Sequence, residues 1–150
     1  CFLVRRPPGS TLGSSSAAYD GYKREYLLNV WGTWCPTCLA ELDYLTQLRE
    51  QGVKIVGLYY VQSYDADFDG EFDMSALREE VASMLSRAGD PYQFNILDLH
   101  RTLSLDLGVS GAPETFLVDS KGTILLHHTG DINPRVWRAK FAPLMQELQP

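Results

Sequence analysis

The chain has 150 residues, of which 45% are hydrophobic, and a formal net charge of −6 at pH 7. This length predicts one domain, and the hydrophobic share is ample for a single packed core. The acidic balance and the lack of a Lys/Arg run argue against nucleic-acid binding, because phosphates demand a basic surface. No stretch of the sequence approaches the roughly 20 apolar residues of a membrane span.

Residues 1–24 are interpreted as an N-terminal arm or tether, because the segment begins CFLVRRPPGSTLGSSSAA, which is rich in Pro, Gly and Ser. Such a segment has too few apolar residues to hold itself in a core. Cys1 is open to three interpretations, as a lipid attachment point, a free thiol or a cloning boundary, and no role is assigned to it. The sequence does not begin with Met, so whether a signal or anchor segment precedes it is left as an open question. Residues 25–150 are expected to form the folded domain.

The apolar run Tyr26–Trp31 is typical of a central strand covered on both faces. The sequence WCPTC at 34–38 follows it and opens an amphipathic helix, which is predicted to end at Gln51-Gly52. A second strand is predicted from Val53 to Val61, so the three elements form a parallel, right-handed βαβ unit. The apolar stripe of the helix recurs every three residues, at Leu39, Leu42, Leu45 and Leu48.

The two cysteines of this motif are candidate catalytic residues. Pro36 suits the first helical turn, because its fixed φ is preorganised there and its missing N–H would have no partner. Cys35 then lies at the helix N-terminus, where unpaired N–H groups and the macrodipole favour a thiolate. We expect Cys35 to be the attacking sulfur. Cys38, one turn further on, is expected to resolve the mixed disulfide by closing on Cys35.

A lone CxxC pair also fits a static disulfide or half of a zinc site. Zinc needs further ligands, for which Cys1, His127 and His128 are the candidates. A copper or zinc carrier would combine Cys35 and Cys38 with a histidine, since thiolates and imidazole suit both metals. We favour the redox interpretation, because the pair opens a helix directly after a strand.

An acidic insert occupies about residues 62–75. Its segment Asp65–Asp73 places carboxylates at positions 1, 3, 5 and 9 and a glycine at position 6 of a calcium-binding loop. The twelfth position of such a loop should be a bidentate Glu but is Ala76. A solvated acidic loop is therefore favoured over a calcium site.

The remaining sequence predicts alternating short helices and strands. The predicted elements are a helix carrying Met74, Leu77, Val81, Met84 and Ala88, a short strand from Gln93 to Leu97, a short helix from His100 to Leu107, and a hairpin of Phe116–Val118 with Thr123–His128. A final helix begins after the N-cap Asn133, with an apolar stripe of Trp137, Phe141, Leu144 and Leu148 and a bend at Pro143.

Four motifs together carry a family resemblance. They are LNVWGTWCPTC at 28–38, DLGV at 106–109, GAPETFLVD at 111–119 and GDINPRVW at 130–137. In combination they resemble the thioredoxin-fold thiol:disulfide interchange proteins of bacterial cytochrome c maturation (DsbE/CcmG type). The resemblance covers roughly Tyr26 to Leu148.

This resemblance implies an α/β fold, a thioredoxin-like three-layer sandwich whose central mixed β-sheet is flanked by helices. It implies a periplasmic reductant, anchored to the inner membrane by an N-terminal segment, that keeps apocytochrome c cysteines reduced for the haem-ligation machinery. An inner-membrane thiol transporter would supply the electrons, and no cofactor or metal is expected. The alternative is a broader periplasmic thioredoxin-like disulfide reductase.

The resemblance also implies that Pro113 is a cis-proline facing the CxxC pair and that Glu114 is the acidic residue beside it. Trp34 and Pro36 complete the predicted site as supporting residues. At the start of a central strand, Glu114 is expected to be partly buried, with its pKa raised by desolvation unless it is well hydrogen-bonded. It would then accept the Cys38 proton. The alternative is a carboxylate that only caps nearby backbone N–H groups.

Overall fold

The computed structural model describes residues 24–62 and 72–148. Three sequence-based interpretations therefore lie wholly or mainly outside the described residues: the N-terminal arm, the role of Cys1 and the calcium loop. Asp73, the last residue of that loop segment, is described. Its carboxylate accepts a hydrogen bond from the Ala76 N–H at 3.0 Å and caps the following helix.

Five strands form one mixed sheet. In chain order they are β1 (Tyr26–Trp31), β2 (Ile55–Tyr60), β3 (Asn95–Asp98), β4 (Glu114–Val118) and β5 (Ile124–Thr129), and their spatial order is β3-β2-β1-β4-β5. β1 pairs in parallel with β2, and β2 with β3, whereas β4 and β5 are antiparallel to their neighbours. The mixed sheet, the βαβ unit and the hairpin predicted from the sequence are confirmed.

The helices are α1 (Pro36–Glu50), α2 (Met74–Ala88), α3 (Thr102–Asp106), α4 (Pro134–Val136) and α5 (Ala142–Leu148), with a π-helical turn at Trp137–Phe141 between α4 and α5. Alternation along β1 sends its side chains to two different cores. Leu27 and Trp31 pack with buried residues of α1, α2 and the C-terminal helical segment. Leu28 and Val30 pack on the opposite face with residues that follow α3. The predicted three-layer arrangement, a sheet with helices on both faces, is confirmed.

The π-helical turn changes the predicted stripe of the last helical segment. Phe141 and Met145 are buried, whereas Leu144 and Leu148 are only half-buried. A π turn holds more residues than an α turn and so shifts the buried face along the sequence. Pro143 is the second residue of α5 and lacks the N–H that would bond the carbonyl four residues back.

Candidate active site

The CxxC pair lies where the central strand β1 passes into α1. Cys35 is the N-cap of α1 in an extended conformation (φ −106°, ψ 104°), and Pro36 takes the first helical turn. The Cys38 N–H donates to the Cys35 Sγ at 3.2 Å, and the two cysteines form a disulfide. After reduction, the same N–H and the helix N-terminus would stabilise a Cys35 thiolate.

The two sulfurs differ in their access to solvent. Cys35 keeps 4% of its surface exposed, whereas Cys38 is completely buried. A partner protein therefore reaches Cys35 first. Attack by Cys35 and resolution by Cys38 stays a prediction, which this asymmetry favours.

Trp34 lies beside the disulfide on the turn between β1 and α1. Its indole N–H donates to the Tyr60 carbonyl at 2.9 Å, and its ring is half-buried. The ring centroids of Trp34 and Tyr60 are 6.1 Å apart. These contacts fix the indole to the end of β2 and make it a wall of the site.

Antiparallel pairing brings the start of β4 next to the end of β1, because Val30 lies opposite Glu114. The Ala112–Pro113 peptide bond, directly before β4, is cis. It turns the Ala112 carbonyl oxygen toward the disulfide, 3.6 Å from the Cys35 Sγ. The structure thus brings together the cysteines, Trp34, Pro36 and the proline segment.

Glu114 is buried, but it lies on the other face of the sheet. Along β4, Glu114, Phe116 and Val118 share one face, and Phe116 and Val118 belong to the core opposite α1. Thr115, on the alternate face, is the β4 residue whose side chain bonds to the α1 side of the sheet. Cys38 lies in the core on that side.

The Glu114 carboxylate is held by three atoms of two neighbours. Oε1 accepts from the Ser110 N–H at 3.0 Å and from the Ser110 hydroxyl at 2.7 Å, and Oε2 lies 2.7 Å from the His127 Nε2. Burial raises the pKa of Glu114, but the hydrogen bonds from Ser110 and His127 outweigh it and leave the pKa lowered. Glu114 is thus the well hydrogen-bonded case, in which no rise of the pKa was expected, and its position on the other face of the sheet does not favour a proton acceptor for Cys38. The alternative, a carboxylate that caps a backbone N–H, is what the structure contains.

A different carboxylate lies on the cysteine face. Glu41 is on α1, one turn after Cys38, and only 3% of its surface is exposed. Its Oε1 accepts from the Asn29 side-chain amide at 2.8 Å and its Oε2 from the Ile132 N–H at 2.8 Å. Burial raises its pKa from 4.5 to about 7, against the lowering effect of these hydrogen bonds, with Asp131 adding to the rise.

Asn29 connects Glu41 to two further side chains. It also donates to the Thr115 hydroxyl at 3.0 Å, and its carbonyl accepts from the Tyr92 hydroxyl at 2.6 Å. Glu41 was not among the candidate residues of the sequence analysis. The signal was available, because Glu41 lies three residues after Cys38 and four before Leu45, on the stripe predicted to be apolar.

The two histidines considered as metal ligands are bonded elsewhere. His127 contacts Glu114 on the far face of the sheet, and His128 contacts the Asp131 carbonyl and Lys140. Within residues 24–62 and 72–148, no group of three or more His, Cys, Asp or Glu side chains is placed to hold a metal ion. None of the helices in this part of the chain has the length and apolar character needed to cross a membrane.

The sequence of this chain is similar to those of known proteins. The chain is 46% identical over 121 residues to the thiol:disulfide interchange protein DsbE of Escherichia coli K12, covering 81% of this chain and 58% of that protein. It is 42% identical over 142 residues to the Yersinia pestis protein of the same name, covering 95% and 66%. The chain therefore spans about three fifths to two thirds of the length of these curated relatives.

Solved structures show the same fold. A thiol:disulfide interchange protein of the thioredoxin family from Chlorobium tepidum superposes with a TM-score of 0.61 at 17% identity, covering 87% of this chain and 83% of that chain. The fold is thus thioredoxin-like. The family model described as Redoxin matches residues 10–142. Since that match covers most of the sequence, this chain belongs to the Redoxin family.

Proposed function

We propose that this chain is a periplasmic thiol:disulfide oxidoreductase that reduces the haem-binding cysteines of apocytochrome c during cytochrome c maturation. One observation carries the chemistry: the Cys35 sulfur at the start of α1, 3.6 Å from the Ala112 carbonyl of the cis-proline segment. The choice of client is supported by the similarity to proteins named DsbE.

The reaction begins with the reduced dithiol. The Cys35 thiolate attacks a client disulfide, so that a bond forms to one client sulfur and the other leaves as a thiolate. Cys38 then attacks the Cys35 sulfur, which breaks the mixed disulfide and releases the second client thiol. The client gains two electrons, and the protein is left with the Cys35–Cys38 disulfide. An inner-membrane thiol transporter restores the dithiol, and an N-terminal segment anchors the protein to the membrane.

The second step needs an acceptor for the Cys38 proton, because only the thiolate is nucleophilic. Glu41 is the buried carboxyl one helical turn away, and a pKa of about 7 lets it exchange a proton near neutral pH. We therefore assign to Glu41 the role that the sequence had suggested for Glu114. Glu114 instead fixes the loop from Ser110 to Pro113 through its bonds to Ser110.

The client is proposed to bind as an extended peptide along the cis-proline segment. The Ala112 backbone faces Cys35, so an added peptide strand would place its sulfur next to the nucleophile. Trp34, held by Tyr60, would line the other side of the client. Pro113 offers no N–H to compete for the Cys35 thiolate.

Trapping tests this proposal. In bacteria that produce the full-length protein with Cys38→Ser, the mixed disulfide cannot resolve, and we expect covalent adducts with apocytochrome c. The matched control is Cys35→Ser, which should yield none. Adducts with many unrelated periplasmic proteins, without apocytochrome c among them, would instead favour the broader disulfide reductase.

A further inference from the structure

One peptide group joins Glu41 to a second buried side chain. The Ile132 N–H donates to the Glu41 Oε2 at 2.8 Å. The Asp131 carbonyl oxygen lies 3.2 Å from the His128 Nε2. This N–H and this carbonyl belong to the same peptide unit, which therefore links His128 and Glu41 by two hydrogen bonds in series.

The neighbours of His128 determine which ring nitrogen carries the proton. The Lys140 Nζ lies 3.3 Å from Nδ1, and an ammonium group only donates, so Nδ1 accepts. A carbonyl oxygen only accepts, so Nε2 must hold the proton that is shared with Asp131. Both contacts require the same tautomer. His128 is buried, with 8% of its surface exposed, and its ring packs edge-on against Phe141 with centroids 5.9 Å apart.

We propose that His128 is a positioning residue for the redox cycle, because its Nε2–H fixes and polarises the 131–132 peptide and so controls how readily Glu41 takes the Cys38 proton. The inference rests on the Glu41 step of the proposed function. His128 acts on Glu41 through the peptide whose carbonyl it contacts and whose N–H bonds Glu41.

Hydrogen bonds in series strengthen one another, by about 10–30% per bond in condensed-phase estimates. The Ile132 N–H already lowers the pKa of Glu41 against the effect of burial. A weaker donor to the Asp131 carbonyl makes this N–H less polarised and the loop less fixed. The Glu41 carboxylate is then less stabilised, and its ionisation moves to higher pH.

Other charged and titratable groups also face this pair of residues. Asp131 raises the pKa of Glu41 from the same loop, and Tyr92 reaches Glu41 through Asn29. Lys140 faces the His128 ring from the C-terminal helical segment. Cys38 faces the same core from α1. The test must therefore change the His128 donor and leave these groups in place.

The experiment compares His128→Phe, which removes the donor and keeps a ring against Phe141, with His128→Gln, which keeps a side-chain N–H. In the oxidised protein, carbon-13 NMR of labelled glutamate carboxyls follows the ionisation of Glu41. We expect His128→Phe to raise the midpoint by about 0.5 pH unit and His128→Gln to restore most of the wild-type value. His100→Gln, at an exposed histidine, is the control and should titrate like the wild type.

The pH at which resolution of the mixed disulfide is half-maximal should move together with the Glu41 midpoint. An unchanged Glu41 midpoint in His128→Phe would overturn the inference and leave the Glu41 step intact. A midpoint that moves without any change in resolution would overturn the Glu41 step itself, and the role of His128 with it.

If the phenylalanine variant does not fold, Lys140→Met provides a second test at an exposed residue. Without the ammonium at Nδ1, the imidazole proton can sit on either ring nitrogen. Only the tautomer with the proton on Nε2 donates to the Asp131 carbonyl, so this hydrogen bond is present in a smaller fraction of the molecules. A smaller upward shift of the Glu41 midpoint supports the inference. No shift in Lys140→Met overturns it.

Discussion

Glu41 and Glu114 are buried carboxylates on opposite faces of the central sheet, and their surroundings shift them in opposite directions. Burial has the largest effect on the pKa of Glu41 and raises it to about 7. Glu114 is buried too, but three hydrogen bonds from Ser110 and His127 lower its pKa. Of the two, only Glu41 shares a face with the cysteines, so we propose proton transfer for Glu41 and loop positioning for Glu114.

The first residue-scale prediction concerns Glu41→Gln. A base must be ionised to accept a proton, so the wild-type rate of resolution should rise as the pH passes the Glu41 pKa of about 7. In Glu41→Gln the rate at pH 8 should fall by roughly 100-fold or more, and this rise should disappear. Stopped-flow measurement of client release from a preformed mixed disulfide follows the step. A wild-type-like profile in the variant would remove Glu41 from the mechanism.

The second residue-scale prediction concerns Glu114→Gln. The neutral amide weakens the charge-assisted bonds to Ser110 and loosens the loop that carries Ala112 and Pro113. Capture of a peptide disulfide by Cys35 should slow several-fold, whereas resolution should keep its wild-type pH dependence. Single-turnover kinetics separates the two steps. A change confined to resolution would restore the proton-acceptor interpretation of Glu114.

At the scale of elements, the start of α1 accounts for the reactivity of Cys35. Its Sγ accepts the Cys38 N–H at 3.2 Å, and a thiolate there gains from the helix N-terminus. In the reduced protein, iodoacetamide should therefore alkylate Cys35 first, with an apparent pKa below the value of about 8.5 for a free thiol. Peptide mapping by mass spectrometry measures both sites, and the urea-unfolded protein serves as the control. Equal rates in the folded protein would contradict this account.

Much of the fold could be predicted from local patterns. The apolar run of β1, the leucines of α1 and the Asn133-Pro134 helix start each reflect a short-range preference, and their elements appear close to the predicted bounds. The stripe after Trp137 was only partly right, because a π turn moved Met145 into the core. An apolar pattern with a fixed helical period does not predict the extra residue that a π turn adds.

The sequence predicted only those parts of the site that are formed by residues close together in the chain. The cysteines and their helix start are neighbouring residues, so their spacing and the strand before them predicted that Cys38 can close on Cys35, as it does in the Cys35–Cys38 disulfide. The surroundings of Glu114 could not be predicted, because they depend on which face of the sheet it occupies and on His127 of the neighbouring strand. Cross-strand register decides both, and it becomes visible only in the folded chain.

At the scale of the whole molecule, the buried Glu41 makes stability depend on pH. Its folded pKa of about 7 exceeds the value of 4.5 outside the fold, so folding favours the protonated form. The stabilisation is complete below pH 4.5 and is lost as pH rises through 7, by about 3 kcal/mol. Glu114 acts in the opposite sense, since its lowered pKa places its loss of stability at acidic pH.

Urea unfolding of the oxidised protein at pH 5 and pH 8 measures this effect. The free energy of unfolding should be lower at pH 8, and Glu41→Gln should remove most of the difference, because the amide does not ionise. An equal difference in the variant would place the pH dependence in other groups.

The central claim is that Cys35 attacks and Cys38 resolves. The most direct test mixes the purified, reduced protein with an oxidised peptide that carries the CxxCH haem-binding motif of a cytochrome c, and follows covalent adducts by mass spectrometry. The account predicts a lasting adduct on Cys35 in Cys38→Ser, none in Cys35→Ser, and full reduction of the peptide by the wild type. Equal adducts in both variants would contradict it.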